Sequence, residues 1–279
     1  MSKIVAVVYN PNKEEVKYIL SYLPNLLSES GIDFFLVRTD FKDFSASFDY
    51  YNDLKKPDFV LCVGGDGTIL YASRLFARYN IPIAGIDLGK LGFLMHFSKD
   101  ELVELINSIK EDSFIVEERM MINADIQFED GRRYLKEALN EVVVSRGKYH
   151  RLLDVEVFIN DDFLNSYRAD GVIVSTPTGS TAYSFSALGP ILLPTMKNLI
   201  ITPICPHSLF ARSIVLDEES YVTLKVKHSF PTSVIVVDGQ EYIDIESDVK
   251  IIVRKSENVA KIVSNPNRPF FQILRNKLS

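Results

Sequence analysis

The chain has 279 residues, 47% of them hydrophobic, with 13 glycines and 12 prolines, which is enough for two packed domains and shows no disordered or fibrous bias. A net charge of −6 without a Lys/Arg cluster excludes the basic face that nucleic-acid backbones require. Cys62 and Cys205, the 2 cysteines, are far apart and lack metal-ligand spacing; with neither a signal peptide nor an apolar run long enough to span a bilayer, the chain reads as a cytoplasmic protein with no membrane partner.

In chain order, the β-branched run Lys3 to Val8 predicts a buried strand, and Val16, Ile19, Leu20 and Leu23 at helical spacing predict one helix closed by Gly31. A short strand follows at Phe34 to Val37, then an aromatic and polar stretch, 41–52, without clear period, then strands at Phe59 to Val63 and Ile81 to Ile86. Ser98 and Glu101 form a capping box ahead of a helix striped by Leu102, Leu105, Ile106 and Ile109. This alternation argues for a parallel sheet covered by helices, with ligands at the carboxyl ends of its strands. From Glu118 the rhythm changes to strands separated by turns: Met121 to Phe128, Arg133 to Ser145, Leu153 to Ile159, Phe163 to Arg168, Gly171 to Ser175, Leu199 to Ile204, Ser213 to Leu216, Tyr221 to Val226, and Ser233 to Val237 with its Asp238-Gly239 turn. So many short strands predict a β-sandwich. The expected fold is therefore α/β plus all-β: a Rossmann-like domain with a parallel sheet over residues 1–117, a β-sandwich over 118–263, and a helical tail, 264–279, packing back on the first domain.

The most informative stretch is Val60 to Thr68, an apolar run that breaks into Gly64-Gly65-Asp66-Gly67 before Ile69, Leu70, Leu75 and Phe76 resume at helical spacing. Strand, glycine turn and helix make a phosphate seat, because glycines admit a polyphosphate and the new helix aims its N–H groups and positive dipole end at it. Asp66, expected to be exposed, has the wrong sign for phosphate but the right chemistry for a hydroxyl or a magnesium ion beside it. The turn fits neither the dinucleotide fingerprint nor the Walker loop, and it offers no Walker-type lysine; taken alone, it could be only a sharp connection. Polar residues interrupt the strand pattern at Asn140-Glu141, at Arg168-Ala169-Asp170-Gly171 and at the hydroxyl-rich run Thr176-Pro177-Thr178-Gly179-Ser180-Thr181-Ala182-Tyr183. Each has a plain structural alternative: Asn140 as a turn residue, Asp170 in an Asx-turn or an ion pair with Arg168, Thr181 as a helix cap. His207, beside Pro206, has no nucleophile elbow to serve and reads as structural.

Taken together, Gly64 to Thr68, Leu88-Gly89-Lys90-Leu91-Gly92-Phe93-Leu94, Asn140-Glu141, Asp170-Gly171, Thr176 to Tyr183, Pro203 to His207 and the tail Phe270 to Leu278 resemble the NAD kinases in order and spacing. The Thr176-to-Tyr183 run separates this family from phosphofructokinases and lipid kinases, which share the glycine turn. Asp87 and Arg151 depart from residues common in the family. The resemblance implies magnesium-dependent transfer of the γ-phosphoryl group of ATP, or of polyphosphate, to the adenosine ribose 2′-hydroxyl of NAD. It implies Asp66 as the catalytic carboxylate that orients the hydroxyl and accepts its proton, and Gly64, Gly65, Gly67 and Thr68 as the phosphate loop. It implies Asn140 and Glu141 at the adenosine end, and Arg168, Asp170, Thr181, Ala182, Tyr183 and Ser186 in the dinucleotide pocket, with Arg151, Cys205 and Gln240 as further contacts. A homodimer or homotetramer is implied too. The competing expectations are a lipid or other small-molecule kinase with the same turn, which would want an apolar acceptor site, and a non-catalytic dinucleotide sensor, against which the presence of Asp66 weighs.

Overall fold

The structure, a computed structural model, describes residues 2–39, 56–89, 92–148, 151–207, 212–227 and 233–278; the 41–52 stretch and the Lys90-Leu91 pair lie outside them. The chain divides into two compact units, Met1–Glu118 with Val259–Ser279, and Arg119–Asn258.

The first unit runs β1 (Ile4–Tyr9), α1 (Glu14–Leu20), α2 (Leu23–Glu29), β2 (Asp33–Arg38), β3 (Phe59–Gly64), α3 (Asp66–Phe76), β4 (Ile83–Asp87), β5 (Phe97–Ser98) and α4 (Leu102–Glu111). Its strands pair in parallel, β1 between β2 and β3, and β4 between β3 and β5. Parallel strands covered on both faces need unbroken apolar sequence, which is why Val5 to Val8 and Phe59 to Val63 are all buried. The single helix expected from Val16 to Gly31 is two: Pro24, in the first turn of α2, has no N–H to continue a helix from α1. The capping box forms, with Ser98 N–H and Oγ each 2.8 Å from Glu101 Oε2. Leu102, Leu105, Ile106 and Ile109 then join Val5, Val7, Leu61 and Val63 in one core.

The second unit is all-antiparallel within its sheets. After β6 (Ile115–Phe128) and β7 (Arg133–Ala138) come β8 (Glu141–Ser145), β9 (Leu153–Ile159), β10 (Asp162–Ala169), β11 (Gly171–Ser175), α5 (Tyr183–Ser186), β12 (Asn198–Ile204), β13 (Ile214–Asp217), β14 (Tyr221–Val226), β15 (Ser233–Val237), β16 (Glu241–Ile245) and β17 (Val249–Ser264). The end of β17 and the helix α6 (Phe270–Leu278) lie in the first unit, where Ile262 pairs with Ile83. One sheet has the order β13-β12-β11-β8-β15-β16, and the facing one contains β10-β9-β14-β17 with β6 and β7. Val142, Val144, Val172 and Val174 from the first interdigitate with Val155, Val157, Leu224 and Ile251 from the second, as in a sandwich. The opposite face of β8 and β11 is also covered, Val143 and Ile173 packing with Ala187 just after α5.

The strand expected from Arg133 to Ser145 is in fact two strands in different sheets, β7 pairing with β6, and β8 lying between β11 and β15. Leu139 and Asn140 make the crossing. Their N–H groups bond to the Asp238 carboxylate rather than to a ladder, so the polar interruption in the sequence is a change of sheet.

Candidate active site

In the first unit the glycine turn closes β3 and opens α3, with Gly65 extended as the N-cap and Asp66 as the first helical residue. Asp66 is half-buried, not exposed as expected, because the 93–95 backbone folds over it. Oδ2 accepts the Phe93 N–H at 2.9 Å and Oδ1 the Leu94 N–H at 3.1 Å. A side chain at Gly92 would overlap Asp66 Oδ1, so the Gly92-Phe93-Leu94 part of the motif is what lets the backbone reach the carboxylate. Burial raises the Asp66 pKa, against the lowering pull of the Leu94 and Phe93 N–H groups, Lys277 and the Met95 N–H. A carboxylate held in fixed geometry yet made more basic is suited to taking a proton.

The lysine that the turn lacks in sequence arrives from the β1–α1 loop: Lys13 Nζ stands 3.1 Å from where a Gly65 side chain would begin. A second cation, Lys277 on α6, acts on Asp66, and the Phe93–Phe270 ring contact, centroids 6.4 Å apart, holds α6 against the 92–95 segment. Neither lysine was legible as a site residue, since nothing in its own neighbourhood of sequence marks it.

In the second unit the Asn140-Glu141 pair and the Thr176-to-Tyr183 run meet at one end of the β8–β11 ladder, where Ser175 lies opposite Glu141. Thr176 N–H donates to Asn140 O at 2.9 Å and Thr176 Oγ to Leu139 O at 2.5 Å. A side chain at Gly179 would strike the Asn140 carbonyl, so glycine is required for the loop to lie this close. Thr181 Oγ donates to Thr178 O, Ala182 N–H to Gly179 O and Ser186 N–H to Ala182 O, which winds the run into a short turn before α5. Asn140 Oδ1, Glu141 Oε2 and Thr178 Oγ1 are buried without a hydrogen-bond partner. Burial first, and Asp238 second, push the Glu141 carboxyl up to about 8, the Tyr183 N–H pulling the other way. Buried polar atoms are nearly always paired, and these three lie on the two segments that the Thr176 bonds to Asn140 O and Leu139 O join.

Tyr183 links this end to the other end of β11. Its hydroxyl pKa is raised by burial first, then by the charges of Asp170, Cys205 and Glu141. Asp170 pairs with Arg146, Oδ1 to Nε 2.6 Å, and not with Arg168; Arg168 sits on β10 opposite Asp154, and its carbonyl accepts the His207 N–H at 2.8 Å. That bond gives His207 a backbone role and its ring stays exposed. Cys205 is a free exposed thiol with φ of 45°. Gln240 is half-buried, its N–H on Val237 O, whereas Arg151, Arg168 and Ser186 present exposed side chains. Among the described residues no group of three or more His, Cys, Asp or Glu could hold a metal ion, and no helix is long and apolar enough to cross a membrane.

Residues 51–114 match the family described as ATP-NAD kinase N-terminal domain and residues 139–265 the ATP-NAD kinase C-terminal domain. The NAD kinase of Natranaerobius thermophilus is 36% identical over 280 residues, 99% of this chain and 97% of that protein. That of Carboxydothermus hydrogenoformans is 42% identical over 224 residues, 80% of each. Among solved structures, an NAD kinase from Archaeoglobus fulgidus in complex with ATP matches with a TM-score of 0.75 at 29% identity, covering 97% of this chain and 98% of that one. Yeast NADH kinase complexed with NADH matches with a TM-score of 0.85 at 24% identity, over 99% and 87%, a likeness of fold.

Proposed function

The chain belongs to the NAD kinase family and is a phosphotransferase of that kind, and on this premise we propose that it moves the γ-phosphoryl group of ATP to the adenosine ribose 2′-hydroxyl of NAD, giving NADP and ADP. The observation that carries the acceptor assignment is the set of buried, unpartnered atoms Asn140 Oδ1, Glu141 Oε2 and Thr178 Oγ1. A ribose and an adenine offer the complementary donors and acceptors, and Tyr183 a flat face. Asp170, Thr181, Ala182, Ser186, Cys205, Gln240, Arg151 and Arg168 extend the dinucleotide pocket.

Asp66 orients the 2′-hydroxyl and accepts its proton as the oxygen attacks the γ-phosphorus. Its raised pKa and its two backbone N–H bonds support that role. Gly64, Gly65, Gly67 and Thr68 take the donor phosphates at the positive end of α3, and Lys13 contributes charge beside Gly65. Phosphoryl transfer needs positioning and charge neutralisation above all. A magnesium ion fits this donor set: magnesium is usually held by one or two carboxylates together with substrate phosphates and waters, and Asp66 is the carboxylate of the turn. When bound it neutralises the triphosphate.

Tyr183, Phe185, Leu188, Leu193 and Met196 are exposed apolar residues within one short segment, Leu188 at 91%, which supports a homodimer or homotetramer joined near the pocket. Two free cysteines support a cytoplasmic setting. The test is formation of NADP from NAD with ATP and magnesium, repeated with polyphosphate and in excess chelator. NADP formation that stops in chelator is expected; full activity in chelator would remove the magnesium assignment, and no NADP with either donor would remove the acceptor.

A further inference from the structure

We infer that Asp238 is a positioning residue for the acceptor site: it stays out of the pocket, and through three hydrogen bonds it sets the backbone that aims Asn140 and Glu141 into it. Asp238 lies in the bend between β15 and β16, far along the chain from the residues it holds. Oδ1 accepts the Asn140 N–H at 2.8 Å and the Glu141 N–H at 3.2 Å, and Oδ2 accepts the Leu139 N–H at 3.0 Å. In return the Asp238 N–H donates to the Glu141 carbonyl at 3.0 Å. The carboxylate is 4% exposed, where a charged acceptor bonded to several N–H groups is strong and directional.

The bend itself is built to deliver it. Asp238 and Gly239 both have positive φ, 50° and 65°, and Gln240 N–H closes the turn on Val237 O at 2.9 Å. Aspartate is among the few side chains that tolerate this conformation. Leu139, Asn140 and Glu141 are the residues at which the chain leaves the sheet of β7 for that of β8, so the carboxylate does there what a strand partner would do elsewhere. A hairpin turn read in sequence as punctuation is thus the clamp on the Asn140-Glu141 pair.

The arrangement has a second effect. The groups facing the Glu141 carboxyl are Asp238, from the β15–β16 bend, and Tyr183, from α5. Asp238 therefore holds the Glu141 backbone while opposing ionisation of its side chain. The inference rests on the proposal that Asn140 and Glu141 hold NAD, and the experiment separates the two.

Steady-state kinetics with NAD and with ATP varied in turn, across pH, are compared for the parent enzyme, Asp238→Asn and Glu141→Ala. Asparagine keeps the size and one acceptor oxygen but turns an NH2 toward one of the three N–H donors and removes the charge. Asp238→Asn is expected to raise KM for NAD roughly tenfold, the effect of one lost charge-assisted bond, with kcat and KM for ATP within about twofold. The pH at which KM for NAD changes should move down, because Glu141 ionises more readily without its neighbour. Unchanged KM for NAD, or a raised KM with that pH unmoved, would overturn the proposal. If Asp238→Asn does not fold, Asp238→Ser, which still accepts an N–H bond, gives the same readings. Glu141→Ala with an unaltered KM for NAD would show that the acceptor reading had failed, and the proposal with it; Glu141→Ala raising KM while Asp238→Asn does not would sink the proposal alone.

Discussion

The two units take carboxyl groups out of water in opposite ways. In the first, both oxygens of Asp66 already have partners, the Phe93 and Leu94 N–H groups, and a lysine on α6 acts on it from outside. In the second, Glu141 keeps one oxygen with no partner and faces another carboxylate. The first arrangement fixes the orientation of the carboxylate before any ligand arrives, as a group needs whose task is chemistry in a set geometry. The second is left open, and its desolvation is offset only when a ligand supplies the missing bonds. Rigid preparation at the reacting group and deliberate incompleteness at the binding group are two uses of the same burial.

Asp66→Asn tests the finished side and should give the largest effect. Asparagine fits the turn and accepts one of the two backbone N–H groups, but it cannot take a proton, so kcat is expected to fall by roughly 10²-fold or more, with NAD binding near that of the parent and a somewhat lower melting temperature because the amide NH2 now meets the other N–H. Because burial raises the Asp66 pKa, activity of the parent should decline as pH falls through that raised value, and this acid limb should be missing from the residual rate of the variant. A folded Asp66→Asn enzyme turning over at the parent rate would erase the contrast.

Lys13→Ala probes the donor side of the same turn. Loss of one ammonium beside Gly65 should raise KM for ATP by about three- to tenfold while leaving KM for NAD alone; equal effects on both substrates would place Lys13 outside the donor site. Asp170→Ala, on the open side, should raise KM for NAD by about fivefold and lower kcat less, as expected for binding shared by ground and transition states. A collapse of kcat at constant KM would move Asp170 into the chemistry.

A further prediction concerns stability. Folding favours the protonated form of Glu141, whose carboxyl is pushed from 4.5 up to about 8. That contribution is whole below the unfolded-state value of 4.5, where both states are protonated, and is lost as pH rises through about 8. Glu141→Gln keeps a neutral side chain at every pH, so its melting temperature should fall less than the parent's between pH 5 and pH 8. Parallel melting curves across that range would mean that Glu141 is not strained by burial.

Much of this was readable along the chain. Parallel strands buried on both faces had to be continuous apolar runs, and Val5 to Val8 and Phe59 to Val63 are; the capping box at Ser98 and Glu101 and the stripe from Leu102 to Ile109 are local patterns that form where they stand. The glycine turn, the Asn140-Glu141 pair and the Thr176-to-Tyr183 run announce themselves by residue type, because phosphate seats and tight loops demand particular side chains or none. Hydrophobic period cannot report a change of partner, so the one strand expected from Arg133 to Ser145 concealed a chain that leaves one sheet for another at its polar interruption. It cannot report that Arg146, and not the nearer Arg168, pairs with Asp170. Nor can it show Lys13 at Gly65 or the Asp238 carboxylate under Leu139, a bond closing 99 positions of chain. Local sequence determines which backbone shapes and side-chain chemistries are present; which charges meet is decided by the sheet register and the crossings between sheets, since those bring together residues whose own neighbourhoods in sequence carry no trace of each other.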